Sequence, residues 1–136
     1  MSIMTRGLIP AASAFTLALA LLAMPARAEE DSFFTHLHAE KAMANVTVSP
    51  GRAGPVEIEI QLEDANEAPL TADAVSVTLG NAENGVAPVT VKAERIGDDR
   101  WMVRMSAPKA GRWSLALAIA ISANDTVNVE SPILLR

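Results

Sequence analysis

The chain has 136 residues, with 16 Asp and Glu against 11 Lys and Arg, which gives a formal net charge of −5 at pH 7. An acidic balance argues against nucleic-acid binding and against a polybasic lipid-binding patch, because both need clustered Lys and Arg. The sequence contains no cysteine, which excludes disulfides and a cysteine nucleophile, so stability must come from packed apolar side chains.

The first 28 residues predict a signal peptide. Arg6 gives the segment a positively charged N-terminal region, and an apolar stretch covers residues 8–24. Ala-Arg-Ala at 26–28 then fits a cleavage site. The apolar stretch is shorter than the roughly 20 residues of a spanning helix, which favours cleavage over a membrane anchor. We expect a soluble periplasmic protein that starts at Glu29 and does not insert into the membrane. Without Arg6 and Arg27 its net charge is −7, from nine basic and sixteen acidic residues.

Residues 29–40 are expected to form an N-terminal arm that carries both histidines of the chain, His36 and His38. In an extended segment residues i and i+2 project to the same side, with Cα atoms about 6.5–7 Å apart. Both imidazoles can then reach one metal ion, and imidazole is a ligand for copper, zinc and nickel. Because His-x-His is a short motif, a solvated arm without metal is the alternative.

Beyond the arm, apolar residues recur at every second position, which is typical of half-buried antiparallel strands. Clusters of Gly, Pro, Asn and Asp separate these runs at the spacing of an all-β sandwich. The predicted strands cover residues 45–49, 56–63, 75–79, 89–93, 101–105, 113–122 and 126–135. The sequence therefore predicts an all-β fold, an immunoglobulin-like antiparallel β-sandwich of about seven strands formed by residues 41–136.

The inward phase of these strands predicts the core. Its expected members are Ile58, Ile60, Val77, Trp101, Val103, Trp113, Leu115, Leu117 and Ile119. The other face of strand 113–122 bears what we call the alanine column, Ala116, Ala118 and Ala120. Either the small side chains let a neighbouring segment pack close, or they form a flat patch for a partner.

The sequence offers little for catalysis. With no cysteine and with both histidines near the predicted mature N-terminus, no nucleophilic triad can be assembled. Adjacent carboxylates at 29–31, 63–64 and 98–99 indicate solvated ends and turns, because neither burial nor a charge partner is implied. We therefore expect a protein that is not an enzyme.

A thioether extends the metal hypothesis. Met43 follows His38 by five residues, at the start of the first predicted strand. Soft thioethers favour Cu(I), and Cu(II) binds tightest among the divalent first-row ions. The alternative is that Met43 fills a gap in the core, as methionine often does.

Two stretches of the chain resemble a known group of domains. Residues 35–55, THLHAEKAMANVTVSPGRAGP, contain His-x-His, Lys-Ala-Met, an extended strand and a Pro-Gly-x-x-Gly turn in that order. Residues 108–115, PKAGRWSL, add a proline, a turn and Gly-Arg-Trp. In these features the chain resembles stand-alone YtkA-like domains and the periplasmic β-sandwich domain at the C-terminal end of bacterial copper-resistance D family proteins.

The resemblance implies a copper-related role outside the cytoplasm, with His36, His38 and Met43 as the metal-contacting residues. The chain shows no multi-helix membrane domain like that of the D family, so we expect it to act beside a membrane copper transporter or another copper-handling protein. It also lacks the fuller His/Asp ligand set of the related C-type copper chaperones, which favours a weaker or shared site. The alternative function is a metal-free interaction or structural module that docks a membrane partner.

The predicted export can be tested directly. N-terminal sequencing of the protein from the periplasm of the producing cell should give Glu29 as the first residue, because Ala-Arg-Ala precedes it. An intact N-terminus embedded in the inner membrane would contradict the prediction.

Overall fold

The computed structural model describes residues 31–136, so the predicted signal peptide and residues 29 and 30 lie outside the described part of the chain. The described strands, in chain order, are β1 (Phe33–His38), β2 (Met43–Ser49), β3 (Gly54–Glu63), β4 (Ala74–Asn81), β5 (Val86–Lys92), β6 (Glu94–Arg95), β7 (Arg100–Ala107), β8 (Gly111–Ser122) and β9 (Asp125–Leu135). A short 3-10 helix, Ala82–Asn84, connects β4 to β5. No helix within residues 31–136 has the length and hydrophobicity needed to cross a membrane.

The strands form two antiparallel sheets. The first has the order β1-β2-β3-β7-β6, and the second has the order β5-β4-β8-β9. The chain leaves the first sheet after β3, returns to it for β6 and β7, and ends in the second sheet. This exchange of strands between two packed antiparallel sheets confirms the predicted immunoglobulin-like β-sandwich.

All seven predicted strands are present, and the structure adds two more, β1 and the two-residue β6. Strand β1 lies within the segment expected to be an arm, and it pairs with β2 over its whole length, from Phe33 opposite Val48 to His38 opposite Met43. Leu37 is the only residue of β1 that is fully buried. The strand was missed because one buried side chain leaves no clear apolar alternation in the sequence.

The predicted core is confirmed, because all nine of its expected members are at most 4% exposed. The two tryptophans belong to this core. The indole Nε1–H of Trp113 donates to the carbonyl of Lys109 at 2.8 Å. Among the described residues Trp101 Nε1 has no hydrogen-bond partner, while the Arg95 guanidinium lies 4.5 Å from the ring centroid of Trp101.

The alanine column lies on the outer face of the second sheet, where β8 is flanked by β4 and β9. Its three side chains are half-buried. Their direct neighbours on the two flanking strands are one further alanine, Ala74, and five polar residues. The polar residues are Ser76, Thr78, Thr126, Asn128 and Glu130. The column is therefore a shallow trough between polar side chains of the same sheet.

The inward phase can be tested on β8. Leu117 is 1% exposed, so Leu117→Ala should lower the free energy of unfolding by about 2–5 kcal/mol, through lost burial and the cavity left behind. The control is Leu134→Ala, the same change at a residue that is 58% exposed, where we expect about 0.5 kcal/mol or less. Both are read from urea unfolding curves. Equal losses at the two positions would mean that the phase is assigned wrongly.

Candidate metal centre

The two histidines occupy the exposed side of edge strand β1. Leu37 lies between them and is 3% exposed, with its side chain in the core. Successive side chains of a strand point to opposite faces, so His36 and His38 both project from the outer face of the first sheet. Both residues are exposed.

The imidazoles are close enough to share an ion. Their ring centroids are 6.3 Å apart, and the ring planes are tilted by 40°. A metal–imidazole bond is about 2.0 Å long, so two rings that bind one ion have centroids roughly 6 Å apart or less. The observed separation is at the outer limit of this range. Both rings can therefore share one ion only if they move slightly closer together.

Met43 lies on the same face, directly opposite His38 in the pairing of β1 with β2. Side chains that face each other across an antiparallel pair have Cβ atoms about 4.5–5.5 Å apart. Met43 is only 6% exposed, yet it does not belong to the hydrophobic cluster between the sheets. The inward positions of β2 are instead Ala44, Val46 and Val48. Met43 is therefore a buried apolar residue that lies outside the cluster between the two sheets.

A chain of polar side chains runs from His36 across the outer face. His36 Nδ1 is 2.7 Å from Asn45 Oδ1. The Asn45 amide nitrogen donates to Gln61 at 3.0 Å and to Glu63 at 3.1 Å. Gln61 in turn donates to the Asp99 carboxylate at 3.0 Å. One imidazole is thus held by a network that extends over three strands to the turn before β7.

These partners of His36 were not predicted from the sequence. Gln61 interrupts the column Glu57, Glu59 and Glu63 on β3, and a neutral amide within a row of carboxylates was a signal that could have been noticed. Asn45 stands on the outward phase of its strand, which was also visible. Asp99 gave no such signal, because it lies in a turn and meets Gln61 only in the folded protein.

The end of β1 is fastened by contacts around the β1–β2 turn. The backbone N–H of Ala39 donates to the carbonyl of Ala42 at 2.9 Å. Lys41 Nζ lies 3.3 Å from Asp125 Oδ1 at the start of β9, an exposed ion pair between the two sheets. These contacts link the turn between His38 and Met43 to itself and to the start of β9.

The donor set is two imidazole nitrogens and one thioether. Among residues 31–136 no group of three or more His, Cys, Asp or Glu side chains could hold a metal ion. The side chain that stands opposite His38 in the strand pairing is the thioether of Met43. Hard cations such as Ca²⁺ and Mg²⁺ prefer oxygen ligands, whereas imidazole with thioether suits copper. The residues fit copper in a site that is open on its outer side.

Two other features of the described chain do not extend this site. Met102 is a second methionine on the outer face of the first sheet, and it is half-buried on β7. Three strand spacings, or about 14 Å, separate β7 from β1. A groove of about 450 Å³ lies in the second sheet, beside Asn81, Trp113 and Pro132, and its lining contains no histidine or methionine. The two imidazoles and the thioether nearest to them therefore lie on β1 and β2.

Comparisons of the chain with protein-family models, with curated proteins and with solved structures found no match. The structure brings the three residues predicted for a metal site, His36, His38 and Met43, together on one face of two paired strands.

Proposed function

We propose that this protein is an exported copper-binding protein that transfers copper to or from a membrane copper transporter or another copper-handling partner in the periplasm. The observation that carries the proposal is the placement of two exposed imidazoles, His36 and His38, on the same outer face as the buried Met43 that pairs with His38. In this proposal copper is the cargo of the protein.

The ligand chemistry supports copper over other ions. Imidazole accepts both copper oxidation states, and a thioether adds preference for Cu(I). Structural zinc sites normally have four protein ligands in a closed tetrahedron, and residues 31–136 supply no third histidine, cysteine or carboxylate to this group.

The openness of the site supports transfer over storage. Both imidazoles are exposed on an edge strand, so a partner can approach the ion from outside. An incoming thiolate, thioether or imidazole can occupy the open coordination position before His36 or His38 releases the ion. A transfer protein benefits from such a shared intermediate, because the ion is then never free in solution.

Two features of the sequence support the same cellular setting. The predicted signal peptide directs the chain out of the cytoplasm. The resemblance of the sequence to YtkA-like and copper-resistance D family domains implies a metal-contacting role for His36, His38 and Met43.

Copper titration of the mature protein tests the proposal. Losing even an outer partner of a metal ligand weakens binding about 10–100-fold, so replacing both ligands should cost more. We expect His36→Ala combined with His38→Ala to weaken copper binding by more than about 100-fold and to leave the sandwich folded, as judged by circular dichroism. Both side chains are exposed, so their loss should not disturb the core.

The matched control removes charge from the same face without touching the histidines. Glu57→Gln combined with Glu59→Gln eliminates one exposed and one half-buried carboxylate of β3 and should leave copper affinity within about twofold, because screened surface charges contribute little. Unchanged affinity in the double-histidine variant would contradict the proposed site. Loss in both variants would indicate unspecific attraction of cations to the acidic face.

The thioether has its own test. Met43→Leu should weaken Cu(I) binding more than Cu(II) binding, because sulfur is the softer donor. The control is Met102→Leu, the same change at the distant thioether on the same outer face, which should alter neither affinity. Equal effects of Met43→Leu on the two oxidation states would show that Met43 is not a ligand.

A metal-free interaction module is the second candidate, and the alanine column favours it. The column offers a row of small, half-exposed side chains on the second sheet, on which a partner could lie flat. If the wild-type protein binds no copper at micromolar concentration, this function replaces the first.

A further inference from the structure

The hydrogen bonds around His36 determine which of its ring nitrogens faces a metal ion. A neutral imidazole has one N–H and one lone pair, and either nitrogen can carry the proton. Only the nitrogen with the lone pair binds metal, so the tautomer decides how the ring can coordinate. In His36 the nitrogen that is engaged with the protein is Nδ1, which lies 2.7 Å from Asn45 Oδ1.

The orientation of the Asn45 amide follows from the carboxylate that it meets. An ionised carboxylate accepts hydrogen bonds and donates none. Because Asn45 contacts Glu63 at 3.1 Å, its NH₂ group must be on that side. Its carbonyl oxygen is then on the side of His36, where it can only accept a hydrogen bond.

A second carboxylate sets the direction of the neighbouring amide. Gln61 contacts the Asp99 carboxylate at 3.0 Å, so the Gln61 NH₂ group faces Asp99 and the Gln61 carbonyl faces Asn45. The Gln61 carbonyl accepts a hydrogen bond from the other N–H of the Asn45 amide. Both hydrogens of the Asn45 amide are therefore used, and the bond to His36 must be donated by the imidazole.

We infer that Asn45 is a positioning residue that holds His36 with its proton on Nδ1 and presents Nε2 to copper. The role for copper rests on the proposed function, whereas the tautomer is a property of the metal-free protein. Metal-binding histidines commonly donate their other ring N–H to a protein acceptor, which fixes both tautomer and ring orientation. Here the acceptor is a side-chain amide whose direction is set by Glu63 and Asp99.

The second histidine is held differently. The His38 ring makes no hydrogen bond with any residue in the range 31–136, and its contact with His36 is between the rings. The site thus combines one oriented imidazole with one that can turn. We expect His36 to remain fixed while His38 rotates to close the 6.3 Å gap between the rings.

Nitrogen-15 NMR of the metal-free mature protein tests the tautomer. Spectra that correlate ring nitrogens with ring carbon-bound hydrogens distinguish a protonated from an unprotonated nitrogen, and we would record them at about pH 8.5, where imidazole side chains are neutral. Wild-type His36 should show a protonated Nδ1 and an unprotonated Nε2. A proton on Nε2, or an equal mixture of tautomers, would overturn the inference.

Two substitutions at one position separate the acceptor from the bulk of the side chain. Asn45→Leu keeps the size but removes the acceptor, so His36 should become a mixture of tautomers. Asn45→Asp keeps an acceptor oxygen and should retain the proton on Nδ1. His38, which has no partner in this network, serves as the internal reference and should not change. An unchanged His36 tautomer in a folded Asn45→Leu protein would overturn the inference.

Copper titration of the same variants distinguishes this inference from the proposed function. We expect Asn45→Leu to weaken copper binding about 10–100-fold, the usual effect of losing an outer partner of a ligand, and Asn45→Asp to weaken it less. If the Asn45→Leu protein binds copper as tightly as the wild type does, the positioning role of Asn45 is contradicted and the copper function is not. If the wild-type protein has its His36 proton on Nδ1 but binds no copper, the copper function is contradicted and the tautomer assignment is supported.

Discussion

The burial of Leu37 is the constraint on which the site depends. Its side chain lies in the core while the backbone of β1 is paired with β2 from Phe33 to His38. In a strand the neighbours of a buried residue must point the other way, so both histidines are forced to the outside and to the same side. A one-residue slip of β1 would bury the two imidazoles and expose Leu37. Packing on one face of the strand therefore specifies the chemistry on the other.

The outer face of the first sheet is organised by hydrogen bonds more than by ion pairs. The pairs Arg100–Glu59 and Arg104–Glu57, at 3.1 and 3.9 Å, join side chains that are 42–76% exposed, and such exposed pairs contribute little to stability. The bonds of Asn45 and Gln61 have a different effect. Each amide has its direction set by a carboxylate, so the network defines the orientation of His36. The network orients the His36 ring, whereas the fold is stabilised by apolar burial between the sheets.

That stabilisation comes from burial between the sheets, since the chain has no cysteine for a disulfide. The ends of the described chain are also held by backbone contacts. The carbonyl of Gly51 accepts from the N–H of Arg136 at 2.9 Å, and a Cβ at Gly51 would lie 2.4 Å from the carbonyl oxygen of Asp31. Glycine is needed here because the segment leading into β1 passes directly over the turn. His36 and His38 consequently stand on a strand whose two ends both make contacts with neighbouring segments, and rigid elements position side chains more precisely than loops do.

The sequence by itself determined the parts of this protein that follow from side-chain alternation. Apolar residues at every second position predicted seven strands, both sheets' inward faces and the nine core residues, because burying one face of a strand imposes that period on its sequence. The spacing of His36 and His38 likewise implied that they share a face. Only the tertiary structure decided that β1 pairs with β2, that Met43 stands opposite His38, and that Asn45 and Gln61 connect His36 to Asp99. Strand pairing is made by backbone groups, and Gln61 and Asp99 are 38 residues apart in the chain. Such contacts leave no periodic trace in the sequence, so they become visible only once the chain is folded.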